Sequence, residues 1–131
     1  MNIVENENKN LIVEEIMSIN VEQNKYTKKN GDVNIYKVYT VTIPKFILSL
    51  FDNNYIYLYD MGGSTYMTDV EPSPTINFEK RKLVKKGKSL RIALPKNMFS
   101  FSSDSEFIFS IDMNRYDFIS SKRGLLEVQI L

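Results

Sequence analysis

One sequence motif occurs twice in this chain, in residues 38–61 and again in residues 89–113. In each copy an alternating run of apolar and polar residues ends at a Pro-Lys pair, a short apolar stretch follows, and a second alternating run ends in Asp-Met. Such alternation predicts half-buried strands, and proline suits the first position of a helix. A strand–proline–helix–strand unit cannot bury its apolar face alone, so the two copies are expected to bury each other.

The pattern predicts a single, mostly β domain over residues 1–131, shaped like a barrel. Two repeats, about 17–70 and 75–120, are expected, followed by a C-terminal extra strand at 125–131. Short helices are predicted after Pro44 and after Pro95. The strands are predicted at 17–21, 33–43, 55–61 and 65–70, and then at 75–84, 89–94, 106–112 and 116–120.

The composition removes several classes of function. The chain has 131 residues, with neither cysteine nor histidine. Disulfides, thiolate metal sites and catalysis by a nucleophile–histidine pair are therefore excluded. Asp60 and Asp112 end strands before turns, which is typical of turn residues rather than of an acid/base pair. We expect a protein that is not an enzyme and that uses no cofactor, metal or small-molecule substrate.

No apolar run approaches the roughly 20 residues of a membrane-spanning helix. The N-terminus also lacks the basic and apolar regions of a secretory signal peptide. The expected location is cytoplasmic, with no membrane partner; for a viral protein it would be the virion or the host cytoplasm.

Charge is unevenly distributed along the chain, although the net charge is only +1. Residues 80–96 contain basic side chains and no acidic one. Like charges at this density repel each other, which favours an anionic partner; lysines that protect an edge strand are the alternative. Several such contacts could follow the backbone of duplex DNA. The candidate DNA-binding residues are Lys80, Arg81, Lys82, Lys85, Lys86, Lys88, Arg91 and Lys96.

Residues 81–96, which read RKLVKKGKSLRIALPK, resemble the opening of AbrB/SpoVT-type DNA-binding domains. Residues 40–61 resemble the second strand, helix and third strand of the same family. The resemblance implies a swapped-hairpin β-barrel with two short helices, which two chains normally build together; with both units in one chain, it implies a single-chain pseudo-dimer. It also implies duplex DNA binding by a transcriptional regulator or DNA-coating protein. The family's basic contact residue four positions before the proline corresponds to Arg91 in the second repeat and Thr40 in the first.

The chain departs from the family pattern after each proline, where the family often carries basic residues. Those places hold Leu48, Ser49, Phe99 and Ser100. Relatives of this barrel in ATPase N-domains bind proteins. The alternative function is therefore a structural or protein-interaction module, for example an archaeal virus virion or assembly protein, that keeps the barrel without reading DNA.

The strand 55–61 alternates three tyrosines with Ile56 and Leu58. When Asp60 is aligned with Asp112, the tyrosines match the inward positions of the second repeat, so Ile56 and Leu58 are expected to point outward. A strand that is apolar on both faces is normally covered on both. Ile56 and Leu58 are therefore predicted to form an interface, covered either by another segment of the chain or by self-association through strand 55–61.

Overall fold

The computed structural model describes residues 2–5, 11–101, 105–112 and 126–130. These residues form strands and one short helix, and the predicted mostly β class is confirmed. The elements are β1 Asn2–Glu5, β2 Leu11–Thr27, β3 Val33–Thr42, α1 Lys45–Leu48, β4 Tyr55–Met61, β5 Ser64–Thr68, β6 Phe78–Lys82, β7 Val84–Lys86, β8 Ser89–Ala93, β9 Glu106–Asp112 and β10 Leu126–Ile130.

The strands form one antiparallel sheet in the order β6-β4-β5-β10-β9-β2-β3-β8-β7, with β1 added beside β2. Only Leu83 separates β6 from β7, so the chain itself joins the two ends of this path end to end. The backbone N–H of Leu83 donates to the carbonyl oxygen of Asn54 at 2.8 Å, which holds the junction beside the start of β4. The result is a nearly closed barrel, in which most strand edges are paired.

The core of the barrel is built from side chains at alternate strand positions, because successive side chains of a strand point to opposite faces. Val41, Ile92, Phe107 and Phe109 are fully buried there. Each side chain of this size contributes about 1.5–3 kcal/mol when it leaves water. The remaining buried members of the cluster are Ile43, Ile47, Leu50, Phe51, Ile56, Leu58, Met67, Leu94, Ile111 and Val128.

Of the two predicted helices, only the first forms, and it is short. Pro44 precedes α1, and the N–H groups of Leu48 and Ser49 donate to the carbonyls of Pro44 and Lys45. After Pro95 the chain makes only a turn, closed by a 3.3 Å bond from Met98 N–H to Pro95 O. Asparagine favours side-chain bonding over helix, and the Asn97 amide donates to Glu79 Oε1 at 3.0 Å.

The strand registers of the two halves match each other. In the β3–β8 pair, Val41 lies opposite Ile92, the residue 51 positions later. The backbone hydrogen bonds on either side of this pair are also equivalent. Adding 51 to the residue number converts Ile43 to Leu94 and Tyr39 to Leu90. The two bonds run from Ile43 N–H to Leu90 O at 2.9 Å and from Leu94 N–H to Tyr39 O at 2.7 Å.

Each half also pairs with the other half in the same way. Strand β2 pairs with β9, where Met17 lies opposite Phe107, and β6 pairs with β4, where Arg81 lies opposite Ile56. Phe107 again follows Ile56 by 51 positions, while Arg81 follows Met17 by 64. The first β-hairpin, β2–β3, is therefore longer than the second, β7–β8, by the difference of 13 residues.

The predicted orientation of Ile56 and Leu58 was wrong, because both are fully buried in the barrel core. Ile56 takes the place of Phe107, so the alignment of Asp60 with Asp112 is off by one residue in this strand. With the shift of 51, β4 and β9 match over their whole lengths, and Asp60 corresponds to Ile111. The chain itself covers both side chains. The outward position of Ile56 and Leu58, from which self-association through strand 55–61 was predicted, is therefore not present.

Tyr57 and Tyr59 face the outer side of the barrel, opposite Ile56 and Leu58. They are nevertheless buried, because other aromatic rings cover them. The Tyr57 ring meets Phe78 edge to face at 5.4 Å between centroids, and Tyr59 stacks on Tyr66 at 5.6 Å. The barrel therefore has a small second aromatic cluster on its outer surface.

The C-terminal strand takes a place inside the sheet. Residues 126–130, within the predicted extra strand, form β10 between β5 and β9. There Glu127 lies opposite both Tyr66 and Ser110. The predicted strand 116–120 lies outside the described residues.

Candidate nucleic-acid interface

Four of the predicted basic residues lie on the outer face of one barrel wall. On β8, Arg91 precedes the buried Ile92 and therefore points outward. On β7, Val84 lies opposite Arg91 and therefore also points outward. Lys86 follows Val84 by two positions and shares the same outer face. On β6, Lys80 and Lys82 lie opposite outward tyrosines of β4. We call Lys80, Lys82, Lys86 and Arg91 the basic strip.

Arg91 is the most constrained residue of the strip. Its side chain is half-buried, and one guanidinium nitrogen lies 3.6 Å from Glu22 Oε1. Its Nε is buried without a hydrogen-bond partner in the described structure, as is the Oγ1 of nearby Thr40. Because Nε is buried, only the terminal guanidinium nitrogens of Arg91 can reach a partner outside the barrel.

Lys80 is held in place by aromatic rings. Its ammonium group lies 4.3 Å from the centre of the Tyr55 ring and 5.8 Å from that of Tyr57. A cation over a ring face gains roughly 0.5–1 kcal/mol at an exposed site. Tyr55 itself is exposed, so this end of the strip combines a positive charge with an accessible aromatic face.

The other four predicted residues do not lie on this strip. Arg81 lies opposite Ile56, on the other face of β6 from Lys80 and Lys82, where its partly exposed side chain forms a 3.3 Å ion pair with Glu79 and donates to the carbonyl oxygen of Lys80 at 2.9 Å. Lys85 alternates with Lys86 and faces away from the strip. Lys88 lies in the β7–β8 turn and Lys96 in the turn after Pro95, and both are exposed.

A second feature of this wall is a projecting β-hairpin. Residues 23–37 are exposed throughout. Strand β9 pairs only with residues 12–18 of β2, and β8 pairs only with residues 40–42 of β3. Beyond those points, within the described ranges, the two strands pair only with each other. We call residues 22–38 the arm; it is a two-stranded ribbon about 20 Å long, and no described strand pairs with either of its edges.

Sequence reasoning missed the arm, because residues 22–27 are polar and carry no apolar alternation. A usable signal was present: the strand 33–43 was predicted to be long, and it follows the turn residues Asn30 and Gly31. A hairpin strand of that length needs a partner of similar length. Gly31 adopts φ of 90° in this turn, a conformation that glycine reaches without strain.

Over the ranges that the structure covers, no three acidic side chains converge closely enough to hold a metal ion. Those ranges also contain no helix of the length and apolar character needed to cross a membrane. The described outer wall therefore combines exposed positive charge, aromatic rings and the projecting arm.

No known protein-family model, curated protein or solved structure matches this chain.

Proposed function

We propose that this protein binds duplex DNA, as a small transcriptional regulator or a DNA-coating protein. The observation that carries the proposal is the basic strip, which gathers four cations from three strands onto one outer face. Side chains at alternate positions of a strand are about 6.6 Å apart, so Lys80 and Lys82 suit successive contacts along a phosphate backbone. Arg91 adds a planar donor group of the kind that binds phosphate oxygens.

We further propose that the barrel is a swapped-hairpin pseudo-dimer of the AbrB/SpoVT type. The matching registers support this. A single exchange of the two halves reproduces the β3–β8 pair around Val41 and Ile92, and it converts the β2–β9 pairing into the β6–β4 pairing. Each β-hairpin then packs against strands of the other repeat, as the resemblance implies. Under this relation Pro44 and Pro95 occupy equivalent positions.

The proposed twofold relation is not matched by the charges. Arg91 of the second repeat corresponds to Thr40 of the first, and Lys80 corresponds to Ile16 by the shift of 64. The cations of the strip therefore have no basic counterparts at these two positions of the first repeat. Within the barrel wall, we expect the second repeat to supply most of the electrostatic attraction to DNA.

The alternative is a structural or protein-interaction module. It is favoured by the exposed apolar side chains of the arm, Val33 and Ile35, which face away from the basic strip. In that function the arm would contact another protein, and duplex DNA would not bind even at low salt.

A salt titration tests the DNA proposal. Binding to a short mixed-sequence duplex is measured by fluorescence anisotropy over a range of salt concentrations, with the whole chain. We expect a steep slope of log affinity against log salt, because each phosphate contact releases counterions. In Lys80→Gln with Lys82→Gln and Lys86→Gln, this slope should fall by up to about three units.

The matched control removes the same charge away from the strip, with Lys45→Gln, Lys85→Gln and Lys96→Gln, all three of which are exposed. The control should change the slope much less. Absence of binding by the unaltered chain at low salt would disprove the DNA proposal and favour the interaction module. Equal effects of the two triple variants would show that general charge, and not the strip, attracts DNA.

A further inference from the structure

The arm has the shape of a known DNA-reading element. The major groove of B-form DNA is about 12 Å wide and admits a two-stranded β-ribbon. The arm is such a ribbon, since from residue 23 to residue 37 no third strand among the described residues pairs with it. An isolated hairpin is only marginally stable in water. This one nevertheless contains 13 residues more than its counterpart in the second half.

One face of the arm carries two amides and two phenols in a square. Asn24 lies opposite Tyr36, and Tyr26 lies opposite Asn34. These four exposed residues continue the outer face that carries Arg91, because Tyr36 and Thr42 are both outward positions of β3 and Thr42 lies opposite Arg91. Neither amide hydrogen-bonds to another described residue. Asparagine pairs bidentately with the major-groove edge of adenine.

The charges of the arm complement a groove lined by phosphates. Lys25 lies on β2 and Lys37 on β3, both on the face opposite Asn24 and Asn34, so each strand of the ribbon supplies one long cationic side chain beside that face. Lys28 and Lys29 lie at the tip. The two acids of the arm are already engaged: Asp32 accepts from the Asn30 amide at 3.0 Å, and Glu22 pairs with Arg91.

We propose that the arm enters the major groove of duplex DNA and reads adenine-containing sequence through Asn24 and Asn34, while its lysines contact the phosphates on either side. This inference rests on the proposed function and adds a division of labour. The basic strip supplies attraction that is independent of sequence, and the outer face of the arm supplies the preference for particular base pairs.

Selection from a pool of randomised DNA duplexes tests the arm. The whole chain and the double variant Asn24→Ala with Asn34→Ala are each used to enrich the pool, and their affinities for enriched and random duplexes are compared. We expect the unaltered chain to enrich sequences containing A·T pairs. The double variant should lose about tenfold or more of that preference, with its salt slope unchanged. Gln23→Ala with Thr27→Ala alters the opposite face and should keep the preference.

Failure of this inference and failure of the proposed function give different results. If the unaltered chain binds duplex DNA steeply with salt but enriches nothing, or if the asparagine double variant keeps the preference, the arm does not read bases and only this inference fails. If the arm instead joins two copies of the chain, light scattering will show a dimer that Val33→Ser with Ile35→Ser converts to a monomer, and the inference is likewise overturned. If no duplex binds at low salt, both proposals fail.

Discussion

Arg91 has two possible partners, an internal carboxylate and an external phosphate. Its contact with Glu22 is 3.6 Å long and partly exposed, and ion pairs of this kind contribute about 0–1 kcal/mol to stability. The pair therefore does little for the barrel, while the carboxylate places a negative charge beside the proposed phosphate site. Under the proposed function, Glu22 would oppose DNA binding even as it orients the guanidinium.

Replacing Glu22 by Gln should strengthen duplex binding several-fold at low salt, because a repulsive charge is removed beside Arg91. The free energy of unfolding should change by less than about 1 kcal/mol. Arg91→Ala should weaken binding more than Lys45→Ala, which removes an exposed lysine outside the strip. Anisotropy titrations and urea unfolding measure both quantities. Weaker binding by Glu22→Gln would mean that orienting Arg91 matters more than repulsion.

The burial of Ile56 gives a second prediction at the scale of one residue. Ile56→Ala should lower the free energy of unfolding by about 2–5 kcal/mol, because it leaves a cavity among Leu58, Phe107 and their neighbours. Val84→Ala, which trims a half-exposed aliphatic side chain, should cost less than about 1 kcal/mol. Urea denaturation compares the two variants. A similar small loss in both would contradict the inward orientation of Ile56.

Among the elements, the predicted strands were largely found, and the errors have identifiable causes. The strand after Pro44 was placed correctly, since its boundaries are marked by loop residues on one side and a glycine turn on the other. Strand β2 extends in both directions beyond its predicted bounds. Both ends of β2 are polar or lack clear alternation, so the sequence does not mark them. Pairing with β1, β3 and β9 sets where the strand begins and ends. The second helix was predicted from its Pro-Lys pair and the short apolar stretch after it; the chain makes only a turn there, and the Asn97 side chain bonds to Glu79 instead.

Shortening the arm should leave the barrel intact. Residues 23–37 can be replaced by Gly-Lys, which copies the turn Gly87-Lys88 of the shorter hairpin and removes the net difference of 13 residues. All the deleted residues are exposed, so the free energy of unfolding should change by less than about 1 kcal/mol. Circular dichroism and urea denaturation measure this. Loss of the folded state would show that the arm supports the core.

At the scale of the whole molecule, each repeat depends on the other for its sheet. Strand β2 of the first repeat completes its pairing with β9 of the second, and β6 of the second with β4 of the first. Neither repeat can therefore close a barrel as a lone monomer. The connector at residues 71–74 crosses between the repeats without pairing in the sheet.

Cleavage at an engineered protease site within 71–74 should leave the two halves associated and folded. Each half produced separately should be unfolded as a monomer, and mixing the halves should restore the β-sheet signal. Size-exclusion chromatography and circular dichroism report these states. A half that folds as a stable monomer would contradict the exchange of pairing between the repeats.

The sequence by itself determined the mostly β, barrel-like class, because repeated apolar–polar alternation leaves many strands with one face to cover. It also determined that the basic residues cluster in one segment. Which face of strand 55–61 lies inside was decided by the tertiary structure, since tyrosine, isoleucine and leucine are all apolar enough for the core and alternation then gives no contrast. Pairing also decided which cations share a surface. Pairing with β4 sets the outward face of Lys80 and Lys82, and pairing with β8 sets that of Lys86. Arg81 lies on the opposite face of β6, in an ion pair with Glu79.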